Sequence, residues 1–175
     1  ELLYQHAGGY PQGAYVSEDS PYRYFFQFHN ENAWPFNDSY DGWWGHATLP
    51  KLNYEESPEL YQYILGIAKK WVSAPFGADG WRLDVVDEYP DELVRMIRQA
   101  ARAEKPDALI IGEVWEDASC KEAYGEHRQY LMGHELDSVM NYPLRQAILD
   151  FLLRGDGAAF RLRLWELLEH YPRPC

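Results

Sequence analysis

The chain has 175 residues, which suits one ordinary domain, and 46% of them are hydrophobic, enough to bury a sizeable core. Its formal net charge of -12 would repel a phosphate backbone, which excludes nucleic acid as a natural partner and fits a neutral, polyhydroxylated ligand better. Aromatic residues make up 16% of the chain. Flat rings stack on sugars but also fill cores, so composition leaves both uses open.

The two cysteines, Cys120 and Cys175, form neither a disulfide framework nor a metal-binding motif. Such sparse use of cysteine indicates a reducing compartment, so we expect a cytoplasmic location. No apolar run reaches the roughly 18 residues that a spanning helix needs, so we expect no membrane partner.

The first part of the chain, residues 1–50, is rich in aromatic, Gly, Pro, Asn and Asp residues and has no helical period. We expect a loop-rich segment with at most short strands. A loop of this length in a compact protein is usually functional or a subdomain. From Ser57 onward the pattern changes, because a capping serine, Pro58 and apolar residues at helical spacing predict a helix.

Short apolar strands then alternate with helices. The predicted strands cover residues 80–86, 108–115 and 136–140, and the predicted helices begin near Pro90, Pro143 and Gly157. We expect a polar loop between the second and third strands. This alternation predicts an α/β fold with a parallel sheet.

Two of the predicted strands end in carboxylates, Asp84 and Glu113. In parallel α/β sheets, active sites lie at the carboxyl ends of the strands. Neighbouring strands are about 4.8 Å apart, so these side chains can approach the roughly 5–5.5 Å separation that retaining glycosidases use. Acids in such positions also cap the following helix, and both interpretations stay open here.

Arg82 and Trp115 favour the catalytic interpretation. Arg82 precedes Asp84 by two residues and leaves the same face of the strand. A fixed cation there would keep Asp84 ionised, as a nucleophile requires, although a plain salt bridge would have the same sequence. Glu113 lies in an apolar segment beside Trp115, so we expect desolvation to raise the pKa of Glu113, which suits a proton donor.

Four ordered segments resemble the α-amylase family, glycoside hydrolase family 13. Gly80-Trp81-Arg82-Leu83-Asp84-Val85-Val86-Asp87-Glu88 resembles its nucleophile segment, and Ile111-Gly112-Glu113-Val114-Trp115 resembles its acid/base segment. Leu49-Pro50-Lys51-Leu52-Asn53 is similar to the Met-Pro-Lys-Leu-Asn segment of the neopullulanase, cyclomaltodextrinase and maltogenic amylase branch. Leu136-Asp137-Ser138-Val139-Met140-Asn141-Tyr142-Pro143 resembles the segment around the sixth barrel strand.

The resemblance implies a (β/α)8 TIM barrel with a loop-rich inserted subdomain after strand 3. Residues 1–50 would belong to that subdomain, and residues 51–175 to the barrel, with strands 4, 5 and 6. The implied catalytic residues are Asp84 and Glu113, and the implied substrate-binding residues are Arg82, Trp115, Glu88 and Asn141. Calcium is a cofactor that this family admits, but we see no oxygen-ligand loop for it and predict no metal site.

The chain also departs from the family pattern. The Asp-x-Val-x-Asn-His segment of strand 3 would precede Glu1, and the His-Asp segment of strand 7, with the third catalytic acid, would follow Cys175. We therefore expect an internal fragment that is inactive alone and that forms homo-oligomers, because an opened barrel exposes two sheet edges. Asp87 stands where the branch usually has Asn, and Leu49 where it has Met.

The function that follows is that of a retaining hydrolase of carbohydrate metabolism. It would cleave α-1,4 or α-1,6 glucosidic bonds in starch-derived oligosaccharides, its expected partners. The alternatives are a transglycosidase or a trehalose- or sucrose-converting member of the same family, and a non-catalytic carbohydrate-binding module. A pure binding module has no need of Asp84, Glu113 and Arg82 together.

Overall fold

The computed structural model describes residues 13–172, which form two compact units with a boundary between Ile64 and Leu65. Residues 1–12 of the expected inserted segment, and Cys175, lie outside the described residues. The boundary lies within helix α1 (Pro58–Val72). Each unit has its own buried side chains and is described separately.

The first unit is organised by aromatic packing. Phe25, Phe26 and Phe28 are buried in one cluster. Single antiparallel bridges join Phe26 to Leu52 and Phe28 to Tyr40, and the only other bridge outside a strand in residues 13–172 is likewise a single residue pair. The expectation of a loop-rich segment with at most short strands is confirmed for residues 13–50, and many of its rings serve as core.

Helix α1 begins where the sequence predicts. The hydroxyl of Ser57 accepts a hydrogen bond from the backbone N–H of Leu60 at 3.2 Å, as a serine cap does. In the second unit, the indole N–H of Trp81 donates to the carbonyl of Ala68 at 3.0 Å. This bond joins the end of α1 to the strand that follows it.

The second unit contains a three-stranded parallel sheet. Its strands are β1 (Gly80–Leu83), β2 (Leu109–Gly112) and, after a small antiparallel hairpin of β3 (Glu122–Ala123) and β4 (Glu126–His127), β5 (Ser138–Val139). Their order is β1-β2-β5, and the register places Leu83 beside Gly112 and Gly112 beside Val139. All three carboxyl ends therefore lie on one edge of the sheet.

Helices α2 (Asp91–Glu104), α3 (Tyr142–Arg154) and α4 (Gly157–His170) follow the strands. The α2 side chains Leu93, Val94 and Ile97 are buried. Strands and helices alternate as predicted, so the α/β class is confirmed. Within the described part of the chain, no helix is both long and apolar enough to cross a membrane.

The strands are shorter than predicted. The first was expected to reach residue 86 but ends at Leu83, because Val85 takes a left-handed conformation with φ 45°. The second ends at Gly112 rather than residue 115, and the third covers only residues 138 and 139. The hairpin of β3 and β4 stands where the sequence predicted a polar loop.

Gly80 allows β1 and β2 to approach closely. A Cβ atom at residue 80 would lie 2.0 Å from the carbonyl oxygen of Leu109, which no side chain could tolerate. Glycine at this position therefore permits the pairing that sets Asp84 and Glu113 beside each other at the far end of the strands.

Candidate active site

Asp84 and Glu113 are the first residues beyond β1 and β2. The backbone N–H of Glu113 donates to the carbonyl of Leu83 at 2.9 Å, and that of Val86 donates to the carbonyl of Glu113 at 3.3 Å. These bonds continue the strand pairing past the last ladder residues. The two carboxylates consequently leave the same edge of the sheet, as the sequence pattern predicts.

Arg82 joins the two carboxylates. Its Nη1 contacts Oδ1 of Asp84, and its Nη2 lies 2.8 Å from Oε1 of Glu113. The remaining guanidinium nitrogen, Nε, lies 3.3 Å from the sulfur of Met140, beyond the end of β5. Two acids thus share one cation, and their separation is limited to the width of one guanidinium and two hydrogen bonds.

Glu113 is the more enclosed of the two acids, with a side chain only 9% exposed. Its Oε2 accepts the backbone N–H of Val85 at 2.9 Å, and its Oε1 accepts the hydroxyl of Tyr142 at 3.1 Å. The expectation that burial raises the pKa of Glu113 is wrong for this chain. The Val85 N–H, the Trp115 and Tyr142 side chains and the Arg82 charge together outweigh desolvation and lower this pKa.

Asp84 is open to a ligand, because its side chain is 71% exposed. The next residue, Val85, has φ 45° and ψ 57°. A β-branched residue rarely adopts this left-handed conformation, and such strain usually accompanies functional geometry. The conformation directs the Val85 N–H to Glu113, so the backbone after the first acid positions the second.

The remaining predicted site residues are distributed around this pair. Trp115 is 64% exposed, with its ring 6.3 Å from that of Tyr142. Glu88 accepts a hydrogen bond from the Tyr124 hydroxyl at 2.7 Å. The side-chain oxygen of Asn141 accepts the N–H of Leu144 at 2.9 Å and caps α3.

Sequence reasoning missed Tyr142 and the Val85 N–H, both of which bind Glu113. Tyr142 could have been found, because it follows the end of the third predicted strand and therefore belongs to the same edge as the acids. No residue-type signal identifies a backbone N–H whose direction depends on an unusual φ. The contact between Met140 and Arg82 is a further part of the site that the pattern did not indicate.

In the part of the chain that the structure describes, no cluster of acidic, histidine or cysteine side chains fits a metal ion. No group of three or more His, Cys, Asp or Glu side chains that could hold one occurs between residues 13 and 172. The short distances around Asp84 and Glu113 involve a guanidinium, a hydroxyl and a backbone N–H, all of which are donors.

Comparison with known proteins identifies the family of the chain. The model of the family described as "Alpha amylase, catalytic domain" matches residues 10–171. A cyclomaltodextrinase from Geobacillus thermopakistaniensis is 42% identical over 127 residues, which are 71% of this chain and 20% of that protein. The intracellular maltogenic amylase of Bacillus subtilis is 36% identical over 146 residues, 83% of this chain and 22% of that protein. The chain thus spans about a fifth of the length of these curated relatives.

Among solved structures, the ligand-free cyclic α-maltosyl-(1→6)-maltose hydrolase from Arthrobacter globiformis is similar, with a TM-score of 0.74 and 28% identity. The match covers 93% of this chain and 35% of that one. The relatives carry the names of the branch that the Leu49–Asn53 segment resembles. The family model covers most of the chain, and the chain therefore belongs to the α-amylase family.

Proposed function

We propose that this chain is part of a longer retaining glycoside hydrolase that acts on α-glucan oligosaccharides. The observation that carries the proposal is the pairing of Asp84 and Glu113 through one guanidinium at the carboxyl ends of adjacent parallel strands. The names of its relatives, cyclomaltodextrinase and maltogenic amylase, support starch-type substrates.

In the proposed first step, Glu113 donates a proton to the glycosidic oxygen while a carboxylate oxygen of Asp84 attacks the anomeric carbon. The bond to the leaving oxygen breaks, and a covalent glycosyl-enzyme forms on Asp84. In the second step, the Glu113 carboxylate takes a proton from water, which attacks the same carbon and releases Asp84. Two inversions at that carbon give net retention.

Arg82 has a different part in each step of this mechanism. Before attack, its charge is shared by both acids. When Asp84 becomes an ester it loses its negative charge, and the guanidinium then favours the carboxylate form of Glu113. That form is the base needed for the second step. For the first step, Glu113 must be protonated. A bound sugar must therefore exclude water from Glu113 and raise its pKa, so that the carboxyl group takes up a proton.

Membership of the α-amylase family supports a domain proposal, although the compact units divide later in the chain, between Ile64 and Leu65. We propose that residues 1–50 belong to a subdomain inserted after barrel strand 3, and that β1, β2 and β5 are strands 4, 5 and 6 of a (β/α)8 barrel. A cytoplasmic location is part of the same proposal, supported by the intracellular maltogenic amylase among the relatives.

The proposal is tested with the full-length protein on maltotetraose, cyclodextrin, pullulan and trehalose, with the anomeric form of each product followed by NMR. We expect α-configured hydrolysis products, and transglycosylation or isomerisation would instead appear as longer or rearranged sugars. Asp84→Asn should lower turnover by about 10³-fold or more, as loss of a nucleophile does. The matched control is Asp79→Asn, at the opposite end of β1, and it should stay near wild type.

A further inference from the structure

The turn that follows Asp84 requires support from outside itself. Val85 holds φ 45°, and residues Val86–Glu88 form one 3-10 turn. A valine in the left-handed region is a conformational outlier that persists only where the surroundings fix it. The turn is also short, so its own hydrogen bonds are few.

The hairpin of β3 and β4 lies against this turn. Tyr124 and Gly125 at its tip have φ 56° and φ 80°, the two left-handed residues of a tight hairpin turn. At its base, the N–H of Arg128 donates to the carbonyl of Lys121 at 2.8 Å. The hairpin is therefore closed at both ends and presents these residues in fixed positions.

Residues at and beyond the base of the hairpin bind every polar acceptor of Asp87. The Lys121 ammonium lies 3.0 Å from Oδ2, and the Tyr130 hydroxyl donates to Oδ1 at 2.9 Å. Nη2 of Arg128 donates to the Asp87 carbonyl at 2.9 Å. Arg128 and Tyr130 are both buried, and hydrogen bonds in such a setting have little competition from water.

The tip of the hairpin makes a second contact with the turn. The Tyr124 hydroxyl donates to the Glu88 carboxylate at 2.7 Å. The turn is consequently held at two adjacent residues, from the base and from the tip of one hairpin. Two attachment points fix a direction as well as a position.

We propose that residues 121–130 form a clamp that holds the turn after Asp84 in the one conformation that aims the Val85 N–H at Glu113. Lys121, Tyr130 and Arg128 are then positioning residues for the acid/base, acting through Asp87. The inference deepens the proposed function and rests on it for its catalytic meaning. The clamp itself concerns only the backbone geometry of the turn, and it can be tested whether or not the protein is active.

The clamp has a chemical consequence at Glu113. The groups that face this carboxyl are the Val85 N–H, Arg82 from β1, Tyr142 from α3 and Trp115 beyond β2. The Val85 N–H contributes most to lowering the pKa of Glu113. A released turn should therefore raise this pKa, although no residue of the clamp touches Glu113 itself in the contacts described above.

The test uses the full-length protein with Lys121→Met and Tyr130→Phe combined, which removes both donors to the Asp87 carboxylate. The matched control is Lys105→Met, which removes a lysine paired with Asp79 at 2.6 Å at the other end of β1. Hydrogen exchange in peptides that span Val85 is one measurement, and the pH dependence of kcat/KM is the other.

We expect about tenfold faster exchange at Val85 in the double variant, since a tenfold change follows from a loss of one ordinary hydrogen bond. The basic limb of kcat/KM should move to higher pH, because an acid with a higher pKa keeps its proton longer. The control variant should change neither the exchange rate at Val85 nor the basic limb of kcat/KM. Lys121→Arg, which keeps the cation, should stay close to wild type in both measurements.

Wild-type exchange at Val85 in a folded double variant would overturn the clamp. If the double variant fails to fold, Tyr130→Phe alone decides, because it removes one hydroxyl and keeps the ring. An inactive wild-type protein would refute the proposed function while the exchange result still judged the clamp. If hydrogen exchange at Val85 became faster but the basic limb of the kcat/KM profile did not move, the proposed link between the clamp and Glu113 would be overturned.

Discussion

Acidic side chains at the two ends of the parallel sheet differ in the number of cations that they bind. At the amino end, the carboxylate of Asp137 accepts from Arg98 at 2.6 Å, from Arg102 at 2.8 Å and from the N–H of Ile110 at 2.8 Å. At the carboxyl end, Asp84 and Glu113 share Arg82 alone among the charged donors described. Asp137 thus has two cations for one carboxylate, whereas Asp84 and Glu113 are two carboxylates that share one cation.

Under the proposed function, this difference separates a structural acid, Asp137, from the two catalytic acids, Asp84 and Glu113. The Asp137 carboxylate accepts from two arginines and fixes the position of β2 through the N–H of Ile110. At the carboxyl end, Asp84 and Glu113 share one guanidinium, and Glu113 also accepts the Val85 N–H and the Tyr142 hydroxyl.

The largest expected effect concerns the proton donor. Glu113→Gln should lower kcat on maltooligosaccharides by roughly 10²–10⁴-fold, the usual contribution of general acid catalysis. With a glycosyl fluoride, whose leaving group needs no proton, the variant should lose far less of its rate in the first step. Rates are measured on both substrates. Equal losses on the two would show that Glu113 does not protonate the leaving group.

A substitution at the amino end of the sheet should change the stability of the protein and leave its catalytic rate unchanged. Asp137→Asn should cost about 3 kcal/mol of unfolding free energy, because it leaves two partly buried arginines without their carboxylate. Denaturant unfolding measures this cost. The pH profile of kcat/KM should keep its shape. A displaced profile without a loss of stability would remove the distinction between the two ends.

The carboxyl end of the sheet was accessible from sequence, and the amino end was not. Alternation along the strand placed Arg82 beside Asp84, and helix starts at Ser57 and Gly157 were predicted correctly. The departure of Val85 from the strand was not, because it depends on a hydrogen bond to Glu113, a residue far along the chain. The hairpin was missed since its strands have two residues each and no periodicity. Asp137 was predicted only as part of a strand. Its role was missed because its arginine partners lie on another element, α2.

A third prediction concerns exposed apolar side chains of α3 and α4. Large apolar residues of α3 and α4 are more than half exposed, namely Leu152, Leu153, Leu162, Trp165 and Leu168. Exposed apolar patches of this kind promote association, so the isolated chain should form oligomers of itself. Size exclusion with light scattering measures this. Leu153→Lys should reduce the association and Leu49→Lys should not, whereas a monodisperse wild-type monomer would contradict the idea.

The smallest expected effect is the pH dependence of stability at Glu113. Its pKa is lowered below the ordinary 4.5, so its ionised form stabilises the fold. That contribution is complete above pH 4.5 and is lost as the pH falls through the lowered pKa. The Tm of Glu113→Gln should lie roughly a few degrees below wild type at neutral pH, and the difference should close in acid. A constant difference would contradict the lowered pKa.

The central claim, that Asp84 is the nucleophile and Glu113 its acid/base, is tested most directly by trapping the covalent intermediate. In the full-length Glu113→Gln protein, a glycosyl fluoride should react in the first step, and slow hydrolysis should let the intermediate accumulate. Digestion and mass spectrometry then locate the added sugar. We predict one glycosyl group on the peptide that contains Asp84. A sugar on any other residue, or turnover with inverted products and no adduct, would contradict the account.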